Sequence, residues 1–377
     1  MKRFAFIVVL VILVAAAGGV IYGFAHSRQK RAETEEFTLC ETQFKEGKYK
    51  EAIQLLKTFL DDHPGSKMAG DAYHYLAKSR QNLKDYPQAM EAWSKIIKSY
   101  SKSKNIAEAY YYSGFGYQNN GQYDKAMEDY RIVTEKYADA PVVAGAWFGL
   151  GRICEMKGQE SEAANAYRIV VEKYANTEFA TDAERGLGSI KLKGFLAENS
   201  KPYAVARKDS LEKIAAKFHI GPGLIMRLNN LKKAVALQVG QTLMVVNGVN
   251  FNILLDLSDR RLSLRDGDKV IRTYPVCVGK KETPTPTGNF KVTDKMIDPT
   301  WYSTTSTGAK GVIPPGDPRN ELSTRWIGFK PAYGFHGTIF PESIGKAESH
   351  GCVRLFKEDA EELYEFVVSG TPVKIVE

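Results

Sequence analysis

The segments His336-Gly337-Thr338 and Ser349-His350-Gly351-Cys352-Val353-Arg354 lie near the carboxyl end of a 377-residue chain, and their reading decides that of the rest. They gather two of the chain's six histidines around one of its four cysteines. A nucleophilic cysteine works as its thiolate, and a nearby imidazole takes the proton and stabilises the charge. The imidazole, His336, needs a third group to hold its tautomer, and the carbonyl of Gly337 can fill that role. Glycine at 351 lets the chain bend tightly, so that the amides of Gly351 and Cys352 can point at a developing oxyanion. Ser349 is read as support for that loop. His350 is read either as tuning the thiolate or as loop support. If the stretch is extended, Arg354 shares a face with Cys352 and could receive a substrate carboxylate. Neither His-Glu-x-x-His nor Cys-x-x-Cys occurs, which argues for acyl transfer and against a metal site, and no cofactor is expected. Cys40, Cys154 and Cys277 are read as buried core thiols.

Outward from this block, residues 250–377 show strand-like alternation in Phe251–Asp256 and Arg261–Leu264, a turn at Asp266-Gly267-Asp268, and one late helix near 357–368. A mainly-β domain is expected. The block resembles the L,D-transpeptidase family with the YkuD-type catalytic domain, which reads His-Gly-Thr, a spacer, then Ser-His-Gly-Cys, an aliphatic residue and Arg. Tyr274-Pro275-Val276 through Gly279, Thr285-Pro286-Thr287-Gly288, residues 320–327 and Gly370-Thr371-Pro372-Val373 extend the resemblance over essentially all of 250–377. Cys277 departs from it, standing where the family has a small polar residue. If near Cys352, it could form an inhibitory disulfide.

The resemblance implies a bacterial wall enzyme. Cys352 would attack the third-residue carbonyl of a peptidoglycan tetrapeptide stem and release D-alanine, leaving a thioester. The side-chain amine of a neighbouring stem would then resolve it into a 3→3 cross-link. His336 would serve as base, Gly337 would orient it, and Gly351 and Cys352 would supply oxyanion amides. Arg354 would recognise a carboxylate or support the loop, and Tyr333 and Trp301 would line the cleft. Residues 301–319 read as a long loop, either a lid or plain surface. Three alternatives stay open: an L,D-carboxypeptidase with water as acceptor, attachment of a protein to the wall, and a non-catalytic wall-binding scaffold.

Further upstream, Ala52, Ala89, Ala126 and Ala163 recur every 37 residues. Tyr49, Tyr86 and Tyr123 keep the same step, as do Phe59, Ile96, Val133 and Val170. Gly47, Gly121 and Gly158 fall at matching turns, where Lys84 departs. Apolar residues at three- and four-residue spacing within each unit predict helix pairs stacked as an all-α solenoid over 33–198. It resembles the tetratricopeptide repeat family, and reads as a protein-binding surface or as a spacer.

Residues 202–247 predict a small βααβ module, with Asp209 or Ser210 as N-cap of its first helix. They resemble the LysM module, which implies binding of N-acetylglucosamine-containing glycan. Eight basic residues stand against two acidic ones in 201–249, while 250–377 carries seventeen of each. The net charge of +8 is therefore concentrated in this module and the leader, which argues against a nucleic-acid partner. In residues 1–32, Lys2 and Arg3 precede an uncharged, mostly apolar run from Phe4 to Ser27. It is read as an export leader, preferentially an uncleaved inner-membrane anchor. A leader, a glycan module and an acyl-transfer domain together place the chain in the extracytoplasmic envelope, the periplasm.

Overall fold

The computed structural model describes residues 27–231, 236–303 and 311–377. The apolar leader lies outside the described residues. Among those described, no helix is long and apolar enough to cross a membrane. The chain divides into two compact units between Phe179 and Ala180.

The first unit is all helix: α1 (27–45), α2 (Tyr49–Asp62), α3 (Ala69–Asn82), α4 (Tyr86–Ser99), α5 (Ile106–Asn119), α6 (Tyr123–Lys136), α7 (Val143–Met156) and α8 (Glu160–Lys173). The 37-residue register reappears as equivalent buried stripes. Ala89, Ala92, Trp93 and Ile96 line α4, and Ala163, Ala166, Tyr167 and Val170 line α8. None of α2 to α8 has a side-chain N-cap bond among the described residues, so these helices depend on packing rather than on capping. The packing seats large rings on glycines. A Cβ on Gly149 would fall 2.4 Å from the Tyr130 ring, and one on Gly151 would fall 2.5 Å from Tyr167. At the turns, Gly47, Gly121 and Gly158 have φ of 75°, 71° and 72°, and Lys84 takes the same left-handed conformation at 61°.

The second unit opens with α9 (Ala180–Asn199). The repeat register counts this helix with the solenoid of 33–198, but packing assigns it here. It lies against the catalytic sheet so closely that a Cβ on Gly188 would meet Arg272. The βααβ module follows: β1 (Ser200–Ala204), α10 (Leu211–Lys217), α11 (Pro222–Leu228) and β2 (Thr242–Val246), with β1 and β2 antiparallel. Ser210 is the N-cap of α10, its Oγ accepting from the Lys213 amide at 3.3 Å.

The C-terminal domain, 250–377, is mainly β, as expected. Its strands are β3 (Phe251–Asp256), β4 (Arg261–Asp266), β5 (Lys269–Pro275), β6 (Val278–Gly279), β7 (Gly288–Lys291), β8 (Lys295–Ile297), β9 (Trp301–Ser303), β10 (Gly311–Ile313), β11 (Arg325–Lys330), β12 (Tyr333–Gly337), β13 (Ala347–Ser349), β14 (Val353–Leu355) and β15 (Pro372–Val376). One helix, α12 (Lys357–Phe366), joins β14 to β15. A five-stranded sheet runs β5-β4-β3-β15-β7, and a four-stranded sheet runs β14-β12-β11-β8. Residues 301–319 are not simply a loop, because β9 and β10 pair antiparallel within them. One apolar cluster runs through the unit, from Leu192 and Phe195 of α9 to Leu224 of the module and Phe335, Val353 and Phe366 of the catalytic domain.

Candidate active site

The four-stranded sheet brings the strand that carries His336 beside the one that follows Cys352. β12 runs parallel to β14 with His336 opposite Arg354, and antiparallel to β11 with Trp326 opposite His336. Paired side chains in a sheet share a face. Ile327, Phe335 and Val353 therefore turn to the other face, where each is wholly buried. Cys352 directly precedes β14, two residues before Arg354, which pairs with His336.

Cys352 Sγ donates to the Ala332 carbonyl at 3.5 Å. Burial pushes its thiol up, offset by the Gly334 amide and the Arg354 charge. His336 is buried, with Nδ1 2.6 Å from the Gly337 carbonyl. A carbonyl only accepts, so the contact with Gly337 favours the tautomer with its hydrogen on Nδ1, leaving Nε2 as the basic nitrogen. Burial and then the Arg354 charge push His336 down to about 4, against the pull of the Gly337 and Glu321 carbonyls. Both shifts favour the neutral forms, thiol and imidazole.

The loop before Cys352 is built around Ser349, which is buried. Its Oγ donates to the Cys352 carbonyl at 2.5 Å and accepts the Gly351 amide at 3.1 Å. This corrects one expectation: the Gly351 N–H is bonded to Ser349 and does not point at an oxyanion. Gly351 still requires glycine for two reasons. Its φ is +112°, and a Cβ would fall 2.7 Å from Cε1 of Tyr333. Tyr333 thus borders the cysteine loop, while His350 is exposed on it.

Arg354 is also more committed than expected. Its Nη2 lies 3.1 Å from Glu321 Oε2, with both side chains largely buried, and its guanidinium lies over the Phe340 ring. Of the two readings of Arg354, loop support fits this pairing and a free carboxylate receptor does not. Trp301 sits in the β9–β10 ribbon opposite Ile313, and no hydrogen bond or ring contact joins it to Cys352 or His336 among the described residues. Cys277 exchanges both backbone hydrogen bonds with Arg354, each 2.9 Å, so it borders β14. It is wholly buried, and all four cysteines are free thiols.

Sequence reasoning missed three residues. The Trp326 ring stacks at 6.1 Å and 21° on His336, its Nε1 donating to Asp294 at 2.8 Å. Glu321 holds Arg354. Thr285 Oγ1 donates to the Gly351 carbonyl and accepts the Gly279 amide, each at 2.9 Å. Strand alternation through 325–330 was the available signal for Trp326. The other two pairings span gaps that no local pattern reports.

Residues 250–375 match the L,D-transpeptidase catalytic domain (YkuD), 203–246 match the LysM domain, and 29–207 match the YfiO family, described as an outer membrane lipoprotein. The protein of Bacillus subtilis strain 168 that bears the name L,D-transpeptidase YkuD is 32% identical over 179 residues, covering 46% of this chain and 97% of that protein. The catalytic domain of an E. faecium L,D-transpeptidase, solved acylated by ertapenem, is 29% identical with a TM-score of 0.28, covering 34% of this chain and 98% of that one. An L,D-transpeptidase from Mycobacterium smegmatis is 20% identical with a TM-score of 0.30, the match covering 37% of this chain and 65% of that chain. The chain belongs to the L,D-transpeptidase family. It joins that catalytic domain to a LysM domain and tetratricopeptide-type repeats.

Proposed function

We propose that this protein is an extracytoplasmic peptidoglycan L,D-transpeptidase that forms 3→3 cross-links through a thioester on Cys352. The observation that supports the reading is the parallel pairing of β12 with β14, which sets His336 opposite Arg354, two residues beyond Cys352. As Sγ attacks the third-residue carbonyl of a tetrapeptide stem, the thiol proton passes to His336 Nε2. Gly337 holds the ring through Nδ1 and stabilises the imidazolium that forms. The Cys352 amide supports the oxyanion, since that of Gly351 is bound to Ser349. Collapse breaks the amide bond, D-alanine leaves with the proton from His336, and the thioester remains. The side-chain amine of a neighbouring stem attacks next, giving a proton to His336, which returns it to the departing sulfur. Tyr333 and Trp326 border the substrate face, and His350 is exposed for contact with the stem.

The LysM domain binds N-acetylglucosamine-containing glycan, and its basic surplus adds attraction to anionic wall polymers. The repeats offer a surface for a protein partner, and the apolar leader exports the chain or anchors it in the inner membrane. Incubating the full chain with tetrapeptide muropeptides tests the reaction. Cross-linked dimers are expected. Tripeptide monomers alone would make the enzyme an L,D-carboxypeptidase. Unchanged muropeptides would leave a wall-binding scaffold.

A further inference from the structure

The LysM module is built into the catalytic unit. The connection between them, residues 247–250, has no slack: Val249 is buried, the Asn247 amide bonds to the Asn199 carbonyl and the Asn250 amide to Asp266. Phe251, the first residue of β3, packs edge-on against Phe366 of α12, with ring centroids 5.4 Å apart. Ile220, Leu224 and Ile225 of the module are buried in the same cluster as these rings.

The polar contacts repeat the point. The Gly221 amide donates to the Glu365 carbonyl at 3.0 Å. Gly221 has φ −72° and ψ 145°, a conformation open to any residue. Its smallness therefore serves the approach: a Cβ there would fall 2.4 Å from that carbonyl oxygen. Arg227 of α11 reaches both Glu362, at 3.0 Å, and Glu365, at 3.5 Å, on α12. Glu362 also accepts from Arg272 at 2.9 Å and from Tyr274 at 3.1 Å. Arg272 neighbours Asp359, which Arg185 of α9 holds at 3.2 Å. A continuous chain of charges thus runs from the module through α12 and β5 to α9. The Arg272 pairs are buried, whereas Arg227 is 44% exposed, so the geometry of the joint rests on the close Gly221 approach and the apolar cluster more than on Arg227.

We infer that the LysM module is a fixed arm rather than a tethered adaptor, so that the enzyme selects stems carried on polymeric glycan at a set distance from the sugars the arm holds. This rests on the transpeptidase reading above and adds a substrate class to it. A flexibly tethered module would only raise local concentration, whereas a fixed one presents particular stems to Cys352.

Hydrogen exchange on the unmodified full chain tests the joint without any turnover. The Gly221 amide is expected to exchange as slowly as the interior of α12, and exchange within seconds while β1–β2 stays protected would overturn the inference. The double variant Gly221→Ala, Arg227→Glu tests the consequence. It is expected to keep its binding to intact sacculi, its acylation by a carbapenem and its turnover of a soluble disaccharide-tetrapeptide, and to lose at least tenfold in turnover of sacculi. Equal turnover of sacculi by variant and parent would overturn it. Failure of the parent itself on both substrates, with no carbapenem adduct, would instead strike the transpeptidase reading, and the exchange result would still decide the joint.

Discussion

The helical repeats and the catalytic domain hold their key residues in place by different means. In the repeats, a buried residue is explained by the helices just before and after its own, as Trp93 and Tyr130 are, and the pattern recurs every 37 residues. In the catalytic domain, the site residues also lean on remote partners: Cys352 on Ala332, His336 on Trp326 and Arg354 on Glu321, while Tyr333 crowds Gly351. Substitutions in the first region should therefore remove packing energy and leave chemistry intact. Substitutions in the second should remove chemistry at modest cost in stability.

Cys352→Ala should give the largest effect. Turnover of tetrapeptide muropeptides is expected to fall about 10⁴-fold or more, as for loss of a nucleophile, with an unchanged circular dichroism spectrum. Retained turnover would break the contrast at its strongest point. Trp93→Ala should do the opposite. The ring is wholly buried, so loss of about 3–5 kcal/mol from the repeat unit is expected in denaturant melts, with turnover of a soluble muropeptide unchanged.

Gly351→Ala should come next. Strain at positive φ and the clash with Tyr333 would shift the cysteine loop, and kcat is expected to drop by roughly 10–100-fold with the fold preserved. The pH response is smaller near neutrality. With His336 held down to about 4, the acid limb of kcat/KM should fall near pH 4 rather than near 6.5. The unfolded ring takes a proton near 6.5 and the folded ring only near 4. Between those values the unfolded chain binds more protons, so stability should decline as pH drops from 6.5 toward 4, measurable as a lower denaturant midpoint at pH 5 than at pH 7. The smallest effect belongs to Lys84→Gly, which places glycine where φ is +61° and is expected to stabilise the repeats by about 0.5–1 kcal/mol.

The same contrast explains what the sequence alone revealed. The repeats were legible because period and burial are the same signal, and Lys84 was visible as a departure that the fold then absorbed. The candidate site was legible because a cysteine, two histidines and glycines stand close together in the sequence. What stayed hidden depended on distant partners. The Gly351 amide looked available until the Ser349 hydroxyl was placed on it, and Arg354 looked available until Glu321 was placed beside it. Helix α9 carries the repeat pattern yet packs against β5, because a helical stripe does not say which neighbour will cover it.

The most direct test of the central claim is the covalent intermediate itself. The full chain is mixed with a tetrapeptide donor, quenched in acid within a turnover, and mapped by mass. The account predicts a tripeptide-containing fragment on Cys352 that hydroxylamine removes and that Cys352→Ala never forms. An adduct on another residue, or turnover by Cys352→Ala, would contradict it.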